Sequence, residues 1–288
     1  MSAESLSCAE AVAALRWWAE AGVDMALDDA PHDRFAETAD AAARRAVPPE
    51  APRERRAAPP PPSAPAAPPP RVAARPVVAP ASPDEAARTA AEAAVAASTL
   101  DELKAALAAF DGCALKVTAT QLVFADGAPG APIMLVGEAP GGDEDRIGKP
   151  FVGKAGQLLD RMLAAIGLDR TGVYIANCVP WRPPGNRTPT PQETQVCLPF
   201  IRRQIELANP KILVVLGASA LQALYGPNER ITRARGAWRA YAIDESREIP
   251  ALPMFHPAYL LRTPAQKRWT WADLRKLRRA IEGGYRAS

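Results

Sequence analysis

Five short apolar runs punctuate the last two-thirds of the chain, at 121–125, 132–137, 172–177, 211–217 and 249–255. Between them lie stretches with helical periodicity, at 154–166, 192–207, 218–224 and 265–282. Runs this apolar suit strands covered on both faces. Their alternation with amphipathic helices predicts an α/β fold, a small, mainly parallel sheet flanked by helices. In such sheets, sites form just past the carboxyl ends of strands. Four motifs fall there: Glu138 onward, Asn177 onward, Gly217-Ala218-Ser219, and His256-Pro257. Distant parts of the sequence therefore converge on one crevice.

The first 83 residues have a different character. Fifteen of the 31 prolines lie before Asp84, in a stretch also rich in alanine. Such a segment buries too little apolar surface to offset its ordering entropy. Residues 1–29 contain an amphipathic helical segment, "SCAEAVAALRWWAEAGVDMAL", in which Val12, Leu15, Ala19 and Val23 share a side. Residues 30–83 read as a disordered linker, stiffest at "PPPPSAPAAPPP". A short helix on a tether suits recruitment of a partner protein, or is a dispensable tail. The domain expected to fold is 84–288. It opens with an alanine-rich helix to about Ser98, then a second helix with Thr99 as N-cap and Glu102 three residues on.

Cys8, Cys113, Cys178 and Cys197 are widely spaced, with no secretory signal before them, which suits reduced thiols in a cytoplasmic protein. No apolar stretch is long enough to span a bilayer. A monomer is expected. From Arg262 onward there are eight Lys/Arg against two acids, interleaved with Trp269, Trp271 and Tyr285. That pattern fits a polyanion partner or a solvated helix face.

The loop after the second apolar run, "GEAPGGDEDRIGKPFVGKAGQLL" (137–159), lacks the spacing of a dinucleotide or P-loop motif. Its carboxylates are clustered without metal-ligand spacing. Phe151, framed by Pro150 and Val152, is either a core plug or a stacking platform for a planar ring. Asn177 offers an acceptor and two donors to an amide-like edge, or bonds its own backbone. "WRPPGNRTPTP" (181–191) is a rigid surface loop carrying Arg182, Asn186 and Arg187. His256 could donate to charge developing on a leaving group, or cap a turn.

Together, "GEAPGGDEDRIGKPFVGKAGQLL", "YIANCVPWRPPGNRTPTP", "VVLGASA" and "FHPAYLLR" resemble the motifs of the family 4 uracil-DNA glycosylases, in their order and spacing, over about Asp111 to Gly284. The resemblance implies the three-layer uracil-DNA glycosylase fold, and excision of uracil from DNA after base flipping. It implies that Phe151 stacks on the flipped base, that Asn177 reads its polar edge, and that His256 stabilises the departing anion. Glu138 and Glu144 match acids near the sugar and the attacking water, and Ala139 stands where other families carry a water-activating Asp or Asn. Asn186 matches a supporting loop residue. Arg182, Arg187 and the loop with Leu260, Leu261 and Arg262 would meet DNA, and the tethered N-terminal helix would recruit a repair or replication protein. Two other readings stay open: a uracil or abasic-site binding protein with little turnover, and a nucleotide-metabolising α/β enzyme.

The family typically holds a [4Fe–4S] cluster on four cysteines. The matching positions here read Phe110, Cys113, Trp181 and Cys197. Two thiols are too few for a four-cysteine cluster. Cys178 could substitute only with a shifted strand end, and Cys8 is remote in sequence. The expectation is no cofactor and no metal, with Phe110 and Trp181 filling the volume as apolar packing.

Overall fold

The computed structural model describes residues 83–244 and 246–283. The N-terminal helical segment and almost all of the linker lie outside the described residues. Two helices open the described chain, α1 (Pro83–Ala96) and α2 (Leu100–Ala109), followed by a single turn, α3 (Leu115–Thr118). Thr99 caps α2 as expected, its side chain accepting from the Glu102 amide at 3.1 Å. On α1, Ala86, Ala90 and Ala94 recur every four residues and are buried, a stripe of small side chains that lets a helix approach closely.

A six-stranded sheet follows. Its strands are β1 (Asp126–Gly127), β2 (Ile133–Gly137), β3 (Tyr174–Asn177), β4 (Ile212–Leu216), β5 (Arg239–Ala242) and β6 (Glu248–Met254), in the order β1-β3-β2-β4-β6-β5. The four central strands are parallel, and both short edge strands are antiparallel. Between and after them come α4 (Gly142–Ile147), α5 (Lys154–Ala164), α6 (Pro191–Ala208), α7 (Ala218–Tyr225), α8 (Ile231–Ala234), α9 (Pro257–Arg262) and α10 (Lys267–Gly283).

Strand alternation sorts the core into layers. Met134 and Val136 of β2 point to one side, with Leu213 and Val215 of β4, and are covered by Ile201 and Ile205 of α6 and Leu221 and Leu224 of α7. Ile133 and Leu135 point to the other, with Val214 and Leu252. They are covered by Leu159 and Leu163 of α5 and Leu274 and Leu277 of α10. A third cluster lies outside α6, where α2 brings Leu103 and Leu107, and α1 its alanine stripe, together with Phe200 and Trp181. No helix among the described residues is long and apolar enough to cross a membrane.

The run at 121–125 is not a strand. Asp145, a buried carboxylate on α4, accepts from the Thr120 amide and hydroxyl, both at 2.8 Å, and so pins the entry to this segment. The segment then crosses with a single backbone bond from Val123 to Pro180. Two stretches expected to be loops are helical. Glu144 sits at the third position of α4 and accepts from the amide of its N-cap, Gly141. Pro257 starts α9, with His256 as N-cap.

Candidate active site

The carboxyl ends of the central strands are level. Gly137 pairs with Asn177, and Leu216 with Met254. Beyond them opens a cleft of about 710 Å³. Of the twelve residues singled out from sequence, nine line it: Glu138, Ala139, Glu144, Phe151, Asn177, Asn186, Arg187, His256 and Arg262. The other three do not. Leu260 is 1 % exposed and packs into the core under the sheet, because the FHPAYLLR stretch is a helix rather than a protruding loop. Leu261, the next residue round the helix, is 42 % exposed. Arg182 holds a lining residue in place, its Nε donating to Asn186 Oδ1 at 2.8 Å.

Phe151 occupies the left-handed region, with φ 56°, which is costly for a bulky side chain. Three features hold it there. Arg170 donates to the carbonyls of Pro150 and Phe151. The same guanidinium is fixed by Asp126 and Asp160, at 2.7 and 2.8 Å. Gly156, on the first turns of α5, lies against the Phe151 carbonyl where no side chain fits. The ring itself ends against Gly137, where a Cβ would lie 2.5 Å from both Phe151 Cζ and Asn177 Oδ1. Sequence patterning singled out neither Arg170 nor these glycines. The cue available was Gly148-Lys149-Pro150-Phe151, which marks a special backbone without naming its supports.

Asn177 is 5 % exposed, and its Oδ1 is buried with no hydrogen-bond partner. An orphaned buried acceptor at a cleft wall carries a desolvation cost that a ligand's N–H would remove. The His256 and Phe151 rings are in contact, with centroids 5.4 Å apart. His256 Nδ1 accepts from the Ala258 amide at 3.1 Å. Burial, with Arg262 adding to it, lowers the imidazole to about 4, so it is neutral at ordinary pH. With Nδ1 accepting, its one proton resides on Nε2.

The two candidate acids differ. Glu144 is saturated: Oε1 accepts from the amides of Val152 and Gly153 at 3.0 and 2.9 Å, and Oε2 from Gly141 at 3.0 Å. It ties α4 to the turn that carries Phe151. Glu138 lies half-buried at the strand end and lines the cleft. Arg187 is paired with Glu193 through two contacts, at 2.7 and 2.8 Å, so its charge is largely matched.

The cysteine positions do not supply a four-thiolate site. Cys113 and Cys197 are buried with sulfurs 3.9 Å apart. Their hydrogen bond holds the Cys197 thiol well above its usual range, with burial adding to it. Phe110 and Trp181 are buried beside them, and Phe110 packs on Phe200 with centroids 5.2 Å apart. Cys178 belongs to the core on the inner side of α6, and burial pushes its thiol up to about 12. Among the described residues no three His, Cys, Asp or Glu side chains are grouped to hold a metal ion. Two thiols flanked by hydrocarbon do not fit a four-cysteine cluster.

Residues 124–277 match the family model of the uracil DNA glycosylase superfamily. Similar proteins include the type-4 uracil-DNA glycosylases of Thermotoga maritima, Sulfurisphaera tokodaii and Archaeoglobus fulgidus. The first is 42 % identical over 173 residues, covering 59 % of this chain and 88 % of that protein. The second is 40 % identical over 185 residues, 62 % of this chain and 84 % of the relative. The third is 38 % identical over 182 residues, 62 % of this chain and 92 % of the relative. The matched region contains the sheet, the cleft and every residue placed in it, and the chain belongs to the uracil DNA glycosylase superfamily.

Proposed function

We propose that this protein removes uracil from DNA by hydrolysing the N-glycosidic bond of a flipped nucleotide, leaving an abasic site. The observation that carries the reading is the orphaned Oδ1 of Asn177, buried against Phe151 in a cleft of the superfamily's fold. Uracil presents an N–H between two carbonyls. Asn177 Oδ1 accepts from that N–H, and its amide donates to a neighbouring carbonyl. Cytosine presents an acceptor and an amine at the same places and would leave the buried amide mispaired.

A base inside a duplex cannot reach such a cleft, so the nucleotide is extruded. The Phe151 and His256 rings already touch, so the base lies on the cleft side of the Phe151 ring rather than between the two. As the bond from the sugar to N1 breaks, its electron pair passes to the base and spreads onto the carbonyl oxygens. The Nε2–H of neutral His256 donates to that developing charge. Water adds to the sugar carbon on the opposite face and loses a proton, and the departing uracil anion takes one up, so that free uracil and an abasic sugar result. Glu138, the acid not engaged by backbone amides, stabilises the cationic sugar and orients the water. With two thiols at the cysteine positions, no step runs through an iron–sulfur group.

The test is release of free uracil, with alkali-labile strand scission, from a uracil-containing oligonucleotide at multiple turnovers. Asn177→Ala and His256→Ala are expected to lower the rate at least tenfold with folding intact. Binding to uracil-containing or abasic DNA without base release would support the binding-protein reading instead.

A further inference from the structure

One face of α10 is chemically distinct from the cleft. Arg268, Trp271, Arg275 and Arg279 recur at spacings of three and four, so they share a face, and all are exposed. Trp271 is 47 % exposed, a large aromatic surface left open to water. The opposite face is buried through Leu274 and Leu277. Both acids of the helix are engaged by other cations: Asp273 by Arg235, and Glu282 by Arg278. The described residues place no carboxylate in an ion pair with Arg268, Arg275 or Arg279. Arg268 leans on the Trp269 ring, 5.0 Å from its centroid, and the face is a row of guanidiniums without described anionic partners around the open Trp271 indole.

Its path is also defined. Arg262, six residues before Arg268, lines the cleft. Further along, Arg278 donates to the carbonyl of Ile166, past the far end of α5, whose other end supports Phe151. The row thus starts near the cleft and runs away from it down the side of the domain for about 16 Å at 1.5 Å per residue.

We propose that this face is a track for single-stranded DNA, holding nucleotides that flank the one in the cleft. Guanidiniums take phosphates, and Trp271 stacks on a base. Exposed aromatics interleaved with cations are the means by which proteins hold single strands without reading sequence. A duplex is stiff over about 150 base pairs and does not turn from the cleft down the flank, whereas a single strand does. The proposal rests on the uracil-excision reading for what occupies the cleft.

The test uses the full chain, as wild type, Trp271→Ala and Arg275→Glu, with circular dichroism confirming the fold. Uracil release is compared on a single strand of about 30 nucleotides, a single strand of about five, and a duplex of about 30 pairs. Each variant is expected to raise KM about tenfold on the long single strand, with kcat unchanged and little effect on the other two. Arg275→Glu should also lower the salt slope of binding by about 0.7. Fluorescence anisotropy on a uracil-free single strand reads the track even if no substrate is cleaved. Failure of excision by wild type therefore sinks the cleft reading separately. Wild-type KM and wild-type strand affinity in both variants would overturn the track and leave the face to a protein partner.

Discussion

The Cβ that Gly156 lacks would lie 1.6 Å from the carbonyl oxygen of Phe151. The obstacle is backbone, so it cannot swing aside, and the Phe151 turn is already fixed by Arg170 from its other side. Substituting Gly156→Ala must push α5 and the turn apart. The expected cost is about 1–3 kcal/mol of stability, the range for overpacking. Uracil release should fall at least tenfold as the ring leaves its place against Gly137. Thermal denaturation and the release assay read the two effects separately. Wild-type activity in a well-folded Gly156→Ala protein would show that the ring's position is not needed.

Glu138 and Glu144 should separate cleanly as glutamines. Glu144→Gln replaces a carboxylate that accepts three backbone N–H bonds with an amide that has one acceptor oxygen. The loss should appear mainly as lowered stability, about 1–3 kcal/mol. Glu138→Gln leaves those bonds alone and removes a charge from the cleft. Its loss should appear in kcat, at least tenfold, with little change in melting temperature. The reverse pattern would exchange the two roles.

The central strands were legible because their apolar runs are too short for buried helices and alternate with helical stretches. Once parallel strands are assigned, the position of the crevice follows, so Asn177 and His256 could be placed from chain order. What was not legible depends on contacts distant in sequence. The run at 121–125 has strand composition, but Asp145 pins its entry from 24 and 25 residues away. β5 is four residues at a sheet edge, with one buried position, and carries almost no pattern. Leu260 and Leu261 look alike in sequence. Only the helical turn of α9 puts one in the core and the other in water.

Burial of His256 gives activity and stability a defined pH dependence. The ring is lowered from 6.5 to about 4, so the Nε2–H donor is the same neutral species throughout pH 5 to 8. kcat should show no inflection near 6.5. For stability, the unfolded chain takes up a proton below about 6.5 and the folded one does not until about 4. The contribution is therefore complete above 6.5 and is lost as pH falls from 6.5 to 4. It amounts to at most about 3 kcal/mol. His256→Asn retains an acceptor suited to an N-cap and should remove that part of the acid destabilisation. A kcat inflection near 6.5 in the wild type would show that the imidazole titrates as if solvated.

Trp181 and Phe110 occupy positions where the type-4 resemblance calls for cysteines, and both are buried against Cys113 and Cys197. If they are packing, Trp181→Ala should leave a cavity costing about 3–5 kcal/mol, with activity near wild type at temperatures where the variant is folded. The purified full chain should show no absorbance band near 400 nm and no stoichiometric iron or sulfide. Cys113, Cys178 and Cys197 are buried, so their thiols should react with a disulfide reagent only after denaturation. Stoichiometric iron and sulfide in the purified protein would mean that other donors complete a site around Cys113 and Cys197, and that the apolar filling is displaced to make room for it.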